Sequence, residues 1–322
     1  MRRILRCEVA EMSEKIIRGI HLSNEARKRR RKEYLIGYLF AMPVILGIII
    51  YTYVPAVQSF VYSFFNYDGF YKMEFVGLNN FQVLLTIDPD FWTVVRNTFL
   101  YAICVVPLSL VLGYVVALTV NNSLKGITMY RMLFYLPVII PGVASGLLWL
   151  DIFEAGPTGI FNKILESIGL PRASFFSKQE TSLATLIFTT VWGVGGGMII
   201  WLAAFKNIPV GLYEAAKIDG ASALTRTLRI TLPLSTPMIF YNLVTGIIGA
   251  LQVSSTMIIG GSNGRGVGDS LYFIAVKIYH DSFGGAFRLG YASAFAWMLF
   301  AVIGLLTFIV FKTSKKWVYY ED

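Results

Sequence analysis

Glu214-Ala215-Ala216-Lys217-Ile218-Asp219-Gly220-Ala221-Ser222 is a compact, charged, helix-favouring cluster flanked on both sides by long apolar runs. Its residue types suit docking better than bond-making. Small alanines let another surface approach closely, and a glycine suits the turn at a helix end. Residues able to do other chemistry are few. His21 and His280 fall on opposite sides of the spans described below, so they cannot share a metal, and no metal site is expected. Cys7 lies in a basic arm and Cys104 inside an apolar run, which excludes a disulfide between them. No GxxxxGK[ST] phosphate loop occurs, so ATP is not expected to bind by that route. No nucleophile, metal cluster or acid–base pair forms a site, so the chain does not read as an enzyme. Gly193, Gly195, Gly196 and Gly197 sit in an apolar run, where small residues suit close helix packing or a flexible wall more than a phosphate cradle.

The elements that must carry this cluster follow from composition. Hydrophobic residues make up 56% of the 322 and charged residues 15%, well below the roughly 25% charge of ordinary soluble domains. A spanning helix needs about 20 apolar residues. Six stretches qualify: 35–65, 97–120, 132–150, 181–205, 237–260 and 289–311, none holding Asp, Glu, Lys, Arg or His. Pro43 and Pro55 are expected to bend the over-long first one or mark its end. The fold class is all-α, a polytopic membrane protein with six transmembrane helices. Its divisions are a basic cytosolic segment (1–33), a first helix with an extracytoplasmic segment (34–95), a transmembrane core (96–311) and a cytosolic tail (312–322). The core carries the charged loop at 206–236.

Six spans with a cytosolic N-terminus place 20 of the 28 Lys and Arg inside and 8 outside, while acids divide 9 to 10. Basic residues mark the cytosolic side and acids contribute little. Both termini and the loop at 206–236 therefore read as cytosolic. Eleven basic residues lie in positions 1–34, so the net charge of +9 reflects a topology anchor facing anionic headgroups and not nucleic-acid binding. Glu8 to Ala26 has the spacing of a short interfacial helix. No cleavable signal peptide is read at the start.

Within the loop, Pro209 is expected to start a helix and Gly220 to turn it at positive φ. Ser222 is expected to cap a second short helix, which Pro233 and Pro237 stop before the next span. Glu214 is expected near the positive end of the first helix. Uncharged spans argue against an ion-coupled secondary transporter, which needs ionisable groups to carry its coupling ion. A plain membrane anchor would not require the loop.

The full pattern is Glu214-Ala215-Ala216, Gly220, Ile230 and Leu232-Pro233. It resembles the EAA motif of the membrane subunits of ATP-binding-cassette importers. Asp219-Gly220-Ala221-Ser222 with Ile230-Thr231-Leu232-Pro233-Leu234 is similar to the carbohydrate branch of that family. Phe75-Val76-Gly77-Leu78-Asn79-Asn80-Phe81, Phe91-Trp92 and Asn97-Thr98 resemble the approach to the second span of maltose-type permeases. Leu136-Pro137 to Trp149 and Gly290-Tyr291-Ala292-Ser293-Ala294 are similar to the third and sixth spans, so the likeness runs from about residue 34 to the end. The basic arm at 1–33 matches no motif.

The resemblance implies the type I importer permease fold in a bacterial or archaeal cell membrane. Its partners would be a second homologous permease, two cytosolic ATPase subunits and an extracytoplasmic solute-binding protein. The solute would be a sugar, with ATP and Mg bound by the ATPases and no cofactor here. Glu214, Ala215, Ala216, Asp219, Gly220 and Ala221 would form the coupling helix. Positions matching the sugar contacts of maltose-type permeases are Ser145, Thr190, Trp192, Gly197, Ala250, Gln252 and Val253. Trp192 and Gln252 have the most suitable chemistry, though each position also fits helix packing, and several are small or apolar. A permease for polyamine or phosphate is the alternative within the family.

Overall fold

The computed structural model describes residue 26 and residues 28–71, 73–121, 126–254, 259 and 263–319. The interfacial helix expected over 8–26, and Cys7 and His21, fall almost wholly outside them. The chain divides into two units, Met1–Val61 and Tyr62–Asp322.

The first unit's described part is the helix α1 (Lys28–Tyr62), which ends one residue into the second unit. Of the two expected outcomes, a bend or an end, neither proline gives the end. Instead the helix widens into a π-turn over Ile49–Tyr53, where the Val54 amide bonds back to the Ile49 carbonyl. Pro55 follows directly. Its ring lacks the amide hydrogen and would crowd the preceding turn of a regular helix, and a single widened turn accommodates it.

The second unit opens with a hairpin that an all-α reading leaves out: β1 (Phe65–Tyr67) pairs antiparallel with β2 (Met73–Phe75), in register Phe65 to Phe75. Helix α2 (Asn79–Thr86) follows. Buried Asn80 donates from Nδ2 to the carbonyls of Ser63 and Phe65, both at 2.9 Å, and so holds the hairpin to α2. Helix α3 (Phe91–Val120) is central. Then come α4 (Ile127–Ile139), α5 (Gly142–Ile152), α6 (Ile160–Ser167) and α7 (Gln179–Lys206), the last tightening to a 3-10 turn at Trp192–Gly197. Helices α8 (Val210–Ile218), α9 (Ala223–Leu234), α10 (Thr236–Leu251), α11 (Ile274–Phe283) and α12 (Leu289–Ser314) complete it.

Among the described residues four helices are long and apolar enough to cross a bilayer, and six spans result if each of two bent pairs counts as one. The first bend falls inside the stretch 132–150 read as one span, whereas the second lies just before 237–260. Helices α4 and α5 meet at 100°. Ile140 is extended (φ −73, ψ 124) because Pro141 follows it, and a residue before proline is pushed out of the α region. Helices α9 and α10 meet at 66°, and α10 ends at Leu251, with Gln252 as its C-cap.

One apolar cluster joins Val94, Tyr101 and Val105 of α3 to Leu186 of α7, Leu251 of α10, Phe273, and Phe295 and Leu299 of α12. A second, at the other end of α3, joins Ala117 and Val120 to Met198, Trp201 and Phe205 of α7. In lipid such helices gain by close packing and not by escape from water, which favours small residues at contacts. The glycine run serves this purpose. A Cβ on Gly195 would overlap the Phe134 carbonyl oxygen of α4, and one on Gly196 would come within 2.9 Å of Val138 Cγ2. Gly195→Leu is therefore expected to cost more than the about 1–3 kcal/mol of ordinary overpacking, because backbone must move. The measurement is recovery of monodisperse protein in detergent. Gly193→Ala, whose Cβ meets nothing within 4 Å, is the control that should be recovered normally.

Candidate functional site

Three constellations occupy the second unit: an exposed loop, a groove, and a buried ion cluster.

The loop is a helix–turn–helix knob. Pro209 is the N-cap of α8, so the helix starts at Val210, one residue later than expected, and Asp219 is its C-cap. Gly220 has φ +75. Its amide donates to the Lys217 carbonyl at 3.1 Å, and the Ala221 amide to the Ala216 carbonyl at 2.9 Å. These paired bonds are a Schellman turn, which needs a left-handed residue where glycine stands. Ser222 caps α9 as expected, its Oγ accepting from the Thr225 amide at 3.2 Å. The prolines act differently from the expectation. Helix α9 runs through Pro233 by widening to a π-turn at Thr227–Thr231, and it breaks only at Ser235. Tyr213 Oη lies 2.9 Å from Thr231 Oγ1, bonding one arm of the knob to the other. Glu214 is the fifth of nine residues in α8, too far from the first turn to feel much of the helix dipole. Glu214, Ala215, Asp219 and Gly220 are exposed, and Ala216 and Ala221 half-buried. Ile218 is 87% and Leu224 69% exposed, so the knob presents apolar side chains beside its charges. An exposed apolar patch rimmed by charge is the form of a protein contact.

The groove, about 520 Å³, is lined by one face each of α3, α7 and α10. Tyr101, Ser109, Thr190, Asn242 and Thr245, with the indole N–H of Trp201, supply its polar groups, and none of its lining residues is charged. Tyr101 Oη and Thr190 Oγ1 are 3.0 Å apart. Of the seven positions marked by resemblance, Thr190, Gly197 and Ala250 line this groove. The other four lie elsewhere: Ser145 half-buried on α5, Trp192 edge-on to Trp149 with ring centres 5.3 Å apart, Gln252 exposed at the end of α10, and Val253 buried in the larger core. Tyr101 and Ser109 were missed. They share a four-residue spacing with Val105 and Gly113, a signal the sequence does contain.

The ion cluster was also missed, because its local pairs, Asp88 with Asp90, Arg265 with Asp269 and Lys277 with Asp281, lie in separate segments that only the fold brings together. Lys277 Nζ lies 2.9 Å from Asp88, 3.4 Å from Asp281 and 3.9 Å from Asp90, with the Lys277 and Asp88 side chains only 4% and 6% exposed. Tyr291 donates to Asp88, and Arg288 pairs with Asp281. Arg265 bridges Asp90 at 3.2 Å and Asp269 at 2.6 Å. Burial pushes the Asp88 carboxyl up, but hydrogen bonds from Tyr291 and Lys277 outweigh it and hold the pKa below the usual carboxylate range. Hydrogen bonds donated by Arg265 similarly lower the Asp269 pKa. Nearby, Asn97 Nδ2 donates to the carbonyls of Asp269 at 2.8 Å and Tyr272 at 3.1 Å, and Thr98 Oγ1 accepts from the Ile274 amide at 3.1 Å. The Asn97-Thr98 pair thus fastens the start of α3 to the segment before α11.

Comparison with known proteins bears on this arrangement. Residues 109–318 match the family described as binding-protein-dependent transport system inner membrane component. The chain is 40% identical over 294 residues to the probable ABC transporter permease protein YesP of Bacillus subtilis, covering 91% of this chain and 94% of that one. It is 27% identical over 282 residues to the multiple sugar-binding transport system permease protein MsmF of Streptococcus mutans, covering 87% and 95%. A solved bacterial ABC transporter involved in import of the acidic polysaccharide alginate shares the fold, with TM-score 0.78 and 24% identity over 90% of this chain and 98% of that one. A multi-pass arrangement of apolar helices, an exposed helix–turn–helix between two of them, and the matched residues together place this chain in the family of inner membrane components of binding-protein-dependent transport systems.

Proposed function

We propose that this chain is one of two permease subunits through which an ABC importer moves a sugar or oligosaccharide into the cytosol. In this reading ATP is hydrolysed by separate subunits docked on the knob, and a binding protein delivers the sugar at the opposite membrane face. Both termini are then cytosolic. The observation that carries the proposal is the knob: a rigid, Schellman-turned element with exposed Ile218 and Leu224, joined covalently to the spans α7 and α10. Movement of a partner bound there is transmitted to the helices lining the groove, the usual form of a rigid-body switch. The groove's hydroxyls and amide support a sugar, since such groups are what a sugar bonds to. A polyamine would call for carboxylates, and the groove lining supplies none. Secondary transport is disfavoured for the same reason.

The test is reconstitution. Purified alone, the chain is expected to show ATPase activity at background. With the ATPase subunits, the second permease and sugar-loaded binding protein in proteoliposomes, hydrolysis and uptake of labelled sugar should appear together. Robust turnover by the isolated chain, or uptake without ATP, would overturn the reading.

A further inference from the structure

A second, smaller pocket of about 360 Å³ lies at the start of α3, at the opposite end of the spans from the knob. Its wall is made by Trp92, Thr93, Arg96 and Asn97 on the first two turns of α3, Gln179 at the start of α7, and the segment Gly268–Ser270. Trp92 is 69% exposed and offers an open aromatic face. Arg96 is exposed, and among the described residues it makes no ion pair. The nearest acid in the wall, Asp269, is committed to Arg265 through contacts at 2.6 and 2.9 Å. The floor is shaped by backbone that side chains resist. Asp269 has φ +59, a conformation costly for a non-glycine residue. Gly268 lies so close beneath the Gln179 amide that a Cβ there would sit 2.8 Å from Gln179 Cδ.

Helical register ties this pocket to the groove. Thr93, Asn97, Tyr101, Val105, Ser109 and Gly113 recur every four residues along α3; successive members adjoin, while the row as a whole winds around the helix at 3.6 residues per turn. The first two line the pocket and the other four the groove. On α7, Gln179 precedes Thr190 by eleven residues, about three turns, so it shares that residue's face. The hydrogen bond between Tyr101 and Thr190 crosses from α3 to α7 at the groove's near end.

We propose that this pocket is an outer receiving station for a carboxylate-bearing glycosyl unit, which it holds before the solute passes into the groove. This rests on the sugar-import reading above. Trp92 supplies the apolar face that stacks on a sugar ring. Arg96, with no acid competing for it, supplies a planar fork that matches a carboxylate. Gln179 and Thr93 supply donors and acceptors for hydroxyls.

The experiment uses the complete importer in proteoliposomes with its binding protein, offered uronate-bearing disaccharides such as digalacturonate and their neutral counterparts. Arg96→Gln is expected to reduce uptake of the uronate sugar about tenfold, the value of one good charge-assisted contact, and to spare neutral sugars. Trp92→Ala should lower uptake per ATP hydrolysed for every sugar carried, and Trp92→Phe should restore most of it. ATPase stimulation by the binding protein should stay within about twofold, which a loss of folding or of membrane anchoring would not allow. Uptake by wild type of neutral sugars alone, or unchanged uptake in Arg96→Gln and Trp92→Ala, would overturn the receiving station and leave sugar import standing. Absence of sugar uptake by wild type would remove both.

Discussion

Gly220→Val is expected to abolish coupled transport while leaving the spans folded. The cost is conformational and not steric: a Cβ at this position meets nothing within 4 Å, but φ is +75. A left-handed backbone costs an ordinary L-residue roughly 1–2 kcal/mol, and a β-branched one more. The Schellman bonds from Gly220 and Ala221 depend on that φ, so valine opens the turn and lets α8 and α9 swing apart. Asparagine tolerates the left-handed region, so Gly220→Asn should keep most activity, and this contrast separates backbone strain from any loss of contact. ATPase subunits should co-purify with Gly220→Val at least about tenfold less well, with membrane insertion and detergent stability unchanged. Glu214→Lys should weaken docking by charge reversal on the exposed face of α8. Full retention of the ATPase partner by both variants would mean that the loop only connects two spans.

Lys277→Met is expected to produce the largest loss of stability among single substitutions outside the spans. Two side chains at 4% and 6% exposure, Lys277 and Asp88, face each other at 2.9 Å. Removing one partner of a buried pair leaves the other charge uncompensated, a loss of about 3–5 kcal/mol. For a chain of this size that is on the order of 10 °C in the unfolding midpoint, measured in detergent by intrinsic fluorescence. The pH dependence gives a second readout. Because the folded Asp88 pKa is held below the unfolded value, its contribution is fully present above the ordinary carboxylate range. It disappears as pH falls through the lower folded pKa. Asp88 therefore leaves the wild-type midpoint unchanged from neutral pH down to about 5 and costs stability only in stronger acid. His280, whose pKa burial lowers, adds a loss that begins as pH falls through the ordinary imidazole range in wild type and variant alike. In Lys277→Met burial dominates, the carboxyl rises above its unfolded pKa, and stability relative to wild type should increase as pH is lowered from 7 toward 5. A midpoint in Lys277→Met within about 2 °C of wild type, with the same pH profile, would show that the cluster does not hold this end of the molecule together.

Membrane class, span count and the position of the knob were legible from the chain alone. Bilayer solvation leaves little choice: runs of about 20 apolar residues must be helices, because every backbone polar group has to be satisfied within the segment. The turn at Gly220 and the cap at Ser222 were legible for a similar reason, since local bonding decides both. Tertiary structure decided the rest. Proline positions marked α1 and α9 for disturbance, but no disturbance of α4 was read from Pro137 or Pro141. The outcomes differed: a π-turn before Pro55 and Pro233, and a 100° break at Pro141. Resemblance marked seven positions for the groove, and packing brought only Thr190, Gly197 and Ala250 into it. Lys277, Asp88 and Arg265 lie in separate segments, so neither the buried cluster nor the pocket beside it was visible before the fold brought residues nearly 190 apart in sequence to within 2.9 Å. A helix in lipid is set by its own residues, whereas the pairing of charges is set by which helix ends meet.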